Sequence, residues 1–282
     1  VGIVLPFKAK GIFYVPFFHW IISIFVILII HEGMHGVMAR VYNLPVKNSG
    51  LVVLGAIIPL IPGAFVEPDE KRLASARKKH QLSVYAAGPV SNIVTGLALM
   101  LLLSFALAPW TNSFYSNDGV LITELADGNP PAKVAGLMQG DKIIAVNGNS
   151  IRNSDEFSRV LAEAKPGDSA VITTTKQAHT LTFEANENGK ARIGVFVDNP
   201  LKNTSWWAKT VLWFEDLFFW LALLSLGVGL FNLVPLGPID GGRMFLTGLQ
   251  HVMQEHRAHM IWKSVSLVLL AVLFTQVLMA FL

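Results

Sequence analysis

The stretch IIHEGMHGVMAR (residues 29–40) sets two histidines and a glutamate into the end of a long apolar run. His31 and His35 are four residues apart, so a helix stacks their rings on one face. Two imidazoles so arranged can share a Zn²⁺ ion, and Glu32 beside them can take a proton from a water that the metal polarises. Glu32 is the only carboxylate in that run, and ionisable groups among lipid-facing residues mark function by default. A histidine pair at a solvated helix end is the plainer reading of the bare motif.

A catalytic zinc site keeps three protein ligands and one open position, so a third ligand is required. LFNLVPLGPIDGGRM (230–244) supplies Asp240, with Pro235, Gly237 and Pro238 before it and Gly241–Gly242 after it. Backbone unwound by those residues lets one carboxylate turn toward a site. The rival ligands His251, His256 and His259 lie in HVMQEHRAH, which is polar all round and reads as one solvated helix. In AAGPVSN, Gly88 permits close helix approach, and Asn92 offers an amide donor and acceptor. Asn92 lies twelve residues past His80, about 18 Å along a helix and comparable in depth to His31. It is expected to hold a substrate backbone or stabilise an oxyanion, with interhelical bonding as the alternative.

These residues need a scaffold, and composition says which kind. Hydrophobic residues make up 52% of the 282 and charged residues 15%, with net charge +3; mean hydropathy is +0.51. Soluble domains carry about 25% charge, so a membrane protein is expected, with the lipid bilayer and not nucleic acid as its partner. Cysteine is absent, which excludes disulfides and thiolate chemistry. No Asp, Glu, Lys or Arg falls between Lys10 and Glu32, Lys79 and Asp118, or Asp216 and Asp240, or after Lys263. Each gap holds the roughly 20 residues a span needs, giving spans near 13–40, 82–108, 212–236 and 261–282. The chain starts at Val1 rather than Met, and further spans upstream are expected.

A fifth uncharged stretch, NSGLVVLGAIIPLIPGAFV (48–66), is broken by Gly50, Gly55, Pro59, Pro62 and Gly63. Leu51–Leu54 and Ile57–Ile58 suit short strands, so a re-entrant hairpin is expected, packed on protein because lipid tolerates no free strand edge. His31 and Asp240 both follow the apolar part of their spans. They share a depth only if those spans run the same way, which the hairpin permits. Seven basic residues from Arg40 to Lys79 flank this first loop against Glu67, Asp69 and Glu70. The positive-inside rule puts that loop in the cytoplasm and the active site near the cytosolic side.

Residues 113–203 differ in kind. GVLITEL, DKIIAVNG, SAVITTTK and HTLTFEA alternate like strands, and SDEFSRVLAEA reads as a helix capped by Ser154. The expected fold is a polytopic α-helical membrane protein with a re-entrant β-hairpin and an inserted soluble α+β domain. Residues 1–112 and 204–282 form the two halves of the membrane core, and 113–203 the insert on the extracytoplasmic side.

Together these pieces resemble the site-2 protease family of intramembrane zinc metalloproteases. The likeness rests on His31, Glu32 and His35, on GPVSN, and on NLVPLGPIDGG with Asp240 as third ligand. PPAKVAGLMQGDKIIAVNG (130–148) looks like part of a PDZ domain. Ile239 stands where the family commonly has leucine. The resemblance implies one Zn²⁺ per chain, Glu32 and Asn92 as catalytic groups, and Gly88, Asn92, Leu51, Val53 and Asn232 as substrate-binding residues. It further implies hydrolysis within the transmembrane segments of protein substrates, in regulated intramembrane proteolysis, and a peptide or chain end bound by the PDZ-like insert. An inert membrane-anchored PDZ-like scaffold and a metal transporter are the alternatives.

Overall fold

The computed structural model describes residues 3–5, 12–54, 61–186, 188–202 and 204–281. A short parallel pair, β1 (Ile3–Leu5) and β2 (Ile12–Tyr14), precedes helix α1 (Phe17–Val41). The 25 residues of α1 reach about 37 Å, more than the roughly 30 Å of a hydrocarbon core. Its buried residues recur every fourth position: His19, Ser23, Ile27, His31, His35 and Ala39. Phe18, Ile29 and Val37 stay exposed. A helix apolar on its exposed face suits lipid, and its polar residues are gathered on the protein-facing stripe.

Strands β3 (Val46–Leu54) and β4 (Ile61–Pro68) then form an antiparallel hairpin. The pairing is longer at both ends than the 48–66 segment, and the expected strand Ile57–Ile58 lies outside the described residues. Helix α2 (Glu70–Ser75) follows, capped by Asp69, whose carboxylate accepts from the Arg72 amide at 3.1 Å. Helix α3 (Lys78–Leu102) continues through a π turn (Leu103–Leu107) into α4 (Ala108–Thr111). The end of α1 meets the start of α3, where the Tyr42 and His80 rings stack at 4.1 Å. The segment between them therefore returns to the end of the helix pair that it left.

By its contacts the chain divides into two compact units, Val1–Leu107 with Trp213–Leu282, and Ala108–Leu212. The second unit carries β5 (Val120–Leu125), α5 (Pro131–Val134), β6 (Lys142–Val146), β7 (Asn149–Ser150), α6 (Ser154–Glu163), β8 (Ser169–Thr174), β9 (Ala178–Thr182), β10 (Glu184–Ala185), β11 (Ala191–Arg192) and β12 (Val195–Asp198). The main sheet has the order β12-β5-β6-β8-β9, with β7 on β6. Val120, Ile122, Ile143, Ile172 and Phe157 form its core. The cap of α6 is Asn153 rather than Ser154, its carboxamide accepting from the Glu156 amide at 2.9 Å. Strand β12 follows Gly194, whose φ of 75° turns the chain onto the sheet edge, a turn that hydrophobic alternation does not reveal.

Helix α7 (Trp206–Phe231) returns to the first unit and ends five residues before the expected boundary at 236. Asp240 does not sit in unwound chain ending that span. It opens a separate helix, α8 (Asp240–Val252), whose first turn folds back on residues 232–239. The Gly241 amide donates to the Asn232 carbonyl at 2.6 Å. A Cβ on Gly241 or Gly242 would collide with the loop carbonyls of Val234 or Leu236, so this fold-back requires glycine. HVMQEHRAH is not one helix either, because α8 stops at Val252 and α9 (Glu255–Phe281) begins after a break. Among the described residues four helical segments are long and apolar enough to cross a membrane: Phe17–Val41, Lys78–Phe114, Trp206–Phe231 and Glu255–Met279.

In the inserted unit, buried Asp141 receives the Lys176 ammonium at 2.7 Å and the Met138 amide at 2.9 Å. The Lys176 hydrogen bond, against the opposing effect of burial, holds its carboxyl below the usual carboxylate range. A depressed folded-state pKa stabilises fully above the unfolded value of about 3.9, and that contribution fades as pH falls through the folded value. Thermal unfolding of the insert should therefore lose stability below about pH 4. Asp141→Asn should be less stable at neutral pH and flatter across that acid window. An Asp141→Asn profile parallel to wild type would refute the assignment.

Candidate metal centre

The buried stripe of α1 brings His31 and His35 under α3 and the start of α8. His31 Nε2 lies 3.0 Å from Asp240 Oδ2, and His35 Nε2 lies 3.3 Å from the same oxygen. One donor atom from each of the three residues falls within 4.8 Å of the others, forming the one such group of metal-ligating side chains among the described residues. His251, His256 and His259 are outside it, and His259 pairs instead with Glu255 at 3.9 Å. The two imidazole rings meet edge to face, 4.9 Å apart at 78°, which lets both Nε2 atoms converge.

The chemistry of this group can be tested against a metal. His35 Nδ1 is 2.7 Å from the Val84 carbonyl, which can only accept, so the Nδ1 proton is held there. Its Nε2 then presents a lone pair toward a carboxylate oxygen. Two acceptors face each other favourably only across a positive charge, and a cation among His31, His35 and Asp240 supplies one. Room for it exists because position 88 is glycine. A Cβ on Gly88 would stand 2.7 Å from His31 Nε2 and closer still to His35 Nε2. The residues present therefore fit a tetrahedral zinc site with one position left over.

A cavity of about 360 Å³ opens onto the group, lined by Glu32, by Val66–Pro68 of β4, by Glu70 of α2, and by Tyr85, Asn232, Pro238, Ile239 and Arg243. Of the expected substrate residues, Asn232 lines it. Gly88 faces the ligand atoms. Asn92 stands behind His31, with its amide nitrogen 3.0 Å from Nδ1. Leu51 and Val53 lie on β3 and are 67% and 56% exposed; they line no part of the cavity. Three rim residues escaped sequence reasoning. Arg243 lies 3.9 Å from Glu70 and 5.8 Å above the Tyr85 ring. Its spacing of three from Asp240 on a helix is the signal that could have found it.

A membrane-type helical core in which buried His31 and His35 meet half-buried Asp240, with half-buried Glu32 beside them, defines the class of protein. The chain belongs to peptidase family M50, whose family model matches residues 19–273. It is 30% identical over 229 residues to an uncharacterized protein of Methanocaldococcus jannaschii, covering 80% of this chain and 56% of that one. A Clostridium perfringens protein named as a zinc metalloprotease is 24% identical, covering 81% of this chain and 86% of its own. Zinc metalloprotease RasP of Geobacillus kaustophilus is 22% identical, covering 66% and 54%. The chain thus spans little more than half the length of two of these relatives. The PDZ domain of the SdrC-like protein from Listeria monocytogenes aligns with 28% of this chain and 87% of its own, at 25% identity and a TM-score of 0.26. Family membership and the four long apolar helices make this an integral membrane protein.

Because the space beside Gly88 is where the ligand atoms converge, Gly88→Ala should abolish stoichiometric zinc binding in a folded protein. His31→Ala, His35→Ala and Asp240→Asn should each weaken zinc by more than the 10–100-fold, roughly, that loss of an outer partner brings. Zinc content by atomic absorption on the purified protein checks this. Full zinc occupancy in Asp240→Asn or Gly88→Ala would move the metal elsewhere.

Proposed function

We propose that this chain is a zinc-dependent intramembrane endopeptidase that hydrolyses peptide bonds in the transmembrane segments of other membrane proteins. One observation carries the reading: His31, His35, Asp240 and Glu32 converge on one cavity between long apolar helices. When bound, zinc would supply Lewis-acid chemistry, lowering the pKa of water and polarising the scissile carbonyl. His31, His35 and Asp240 would hold the ion. Glu32 would take the proton of the attacking water and deliver it to the leaving nitrogen, serving first as base and then as acid.

A substrate helix buries its carbonyls in its own hydrogen bonds, so the cleaved stretch must be extended. Strand β3 offers the partner it would need. Its other edge pairs with β4, and among the described residues no third strand covers its outer side. Leu51 and Val53 project from it on one face. Pairing of substrate there is β-augmentation, with main-chain hydrogen bonds giving affinity. Asn232, at the cavity wall, is suited to bond the substrate backbone. The hairpin is read as re-entrant because β4 follows α1 from Gly36, near Val66, toward Leu28, near Gly63, which is the apolar stretch of that helix.

The insert is read as PDZ-like and extracytoplasmic, joined to the ends of α3 and α7 remote from His31. In this reading it selects substrates, by binding a chain end or by excluding untrimmed outer domains, and contributes no catalytic group. The positive-inside distribution of the first loop supports the orientation, with the metal site on the cytosolic side.

Reconstitution with a single-span substrate tests the reading. Cleavage should require zinc and stop with a chelator. Glu32→Gln should keep zinc and lower kcat about 10²–10⁴-fold, since it removes a base and not a ligand. Zinc-loaded protein that cleaves no transmembrane peptide but carries zinc across vesicles would instead indicate a transporter. Leu51→Pro and Val53→Pro should raise KM for transmembrane substrates while leaving zinc bound. Unchanged rates would leave the hairpin as packing. Replacing 115–200 by a flexible linker should preserve cleavage of a minimal peptide, and loss of that activity in folded protein would rule out a selective role.

A further inference from the structure

Asn92 is fully buried, and it is absent from the lining of the cavity. Its carboxamide is spent on one neighbour. Nδ2 lies 3.0 Å from His31 Nδ1, and Oδ1 is buried with no hydrogen-bond partner. The helical turn that carries it is pinned from α7, where the buried Ser225 hydroxyl donates to the Asn92 backbone carbonyl at 2.8 Å. Leaving a buried acceptor unpaired is costly, so its retention beside a candidate metal ligand calls for a reason.

The two histidines supply the reason by contrast. His35 bonds a backbone carbonyl through Nδ1. That partner only accepts, so His35 stays in the tautomer whose Nε2 can ligate. His31 bonds an amide, which can donate or accept. With Nδ2 toward the ring, Nδ1 accepts and the His31 proton sits on Nε2, directed at Asp240 Oδ2 3.0 Å away. An Nε2 so protonated has no lone pair for a metal. Ligation moves the proton to Nδ1, and Nδ1–H then needs an acceptor. A half-turn of the Asn92 amide exchanges its nitrogen for its unpaired oxygen and provides one.

We infer that Asn92 is a positioning residue that orients His31 as a metal ligand, its amide donating to Nδ1 without metal and accepting from Nδ1–H with it. The inference rests on the zinc reading above and replaces substrate or oxyanion contact as the work of this side chain. A group buried behind the ring has no path to a scissile carbonyl. It also makes a chemical distinction. A carboxylate at position 92 can accept from Nδ1–H but cannot donate to an oxyanion, and alanine can do neither.

The test compares wild type, Asn92→Ala and Asn92→Asp as full-length proteins in detergent. Zinc Kd is read by competition with a chromophoric chelator, and ligand geometry by the visible spectrum of the cobalt-substituted protein. Asn92→Ala should weaken zinc about 10–100-fold and alter the cobalt bands. Asn92→Asp should restore both toward wild type and keep cleavage. Unchanged zinc affinity and cobalt spectrum in Asn92→Ala, with kcat alone reduced, would overturn the inference in favour of an oxyanion role. If Asn92→Asp fails to fold, the Asn92→Ala affinity and spectrum decide by themselves. Failure of wild type to bind zinc stoichiometrically is a different result, and it would remove the zinc reading as well.

Discussion

The structure depends on a small volume beside Gly88 that must stay free of side chains. Two imidazoles and a carboxylate point into it from α1 and α8. Polar groups this deep are costly unless each has a partner, and a carboxylate removed from water costs most. Every neighbour of the group serves that requirement. Val84 supplies a carbonyl to His35, Asn92 an amide to His31, and the fold-back of 232–239 delivers Asp240 to both. A side chain at position 88 would displace whatever positive charge these acceptors share.

The same constraint explains the irregular backbone around the site. A continuous α7 would carry Asp240 about 13 Å beyond Phe231 along its axis. Ending α7 at Phe231 and restarting at Asp240 brings the carboxylate back to the level of His31. The cost of unwinding apolar chain is offset by internal bonds, among them Gly241 to the Asn232 carbonyl. Non-helical backbone is tolerated in an apolar setting where it lines a cavity, and Asn232, Pro238, Ile239 and Asp240 do so. The hairpin β3–β4 packs on α1 through its β4 side. Among the described residues no strand pairs with its β3 side, and an open edge is a place for a partner strand.

The inserted unit solves a separate problem by ordinary means. Its antiparallel sheet buries an alternating set of Val, Ile and Phe, and its one long helix is capped by an asparagine. Its stability does not draw on the metal ligands, which all lie in the other unit.

Much of this was legible in the chain itself, for physical reasons that can be named. Charge-free gaps of span length, histidines four apart and strand alternation are local patterns, and each survives folding because it reflects what one element must bury. His31, His35 and Asp240 could be singled out as candidate ligands because the chemistry of zinc limits which residues can serve, and the structure brings the three together. The tertiary structure decided what depends on distant partners. It made Asp240 the first residue of a new helix, because Gly241 and Gly242 let that turn close on Leu233 to Gly237. It placed Gly88 against the imidazoles of His31 and His35, as the wall of the candidate metal site. It set Asn92 behind His31, away from the cavity, and brought Arg243, Glu70 and Tyr85 to its rim. Spacing along a helix gives a residue's depth and face, but which neighbour lies across from it is set by how the helices cross, and that information is absent from any single segment.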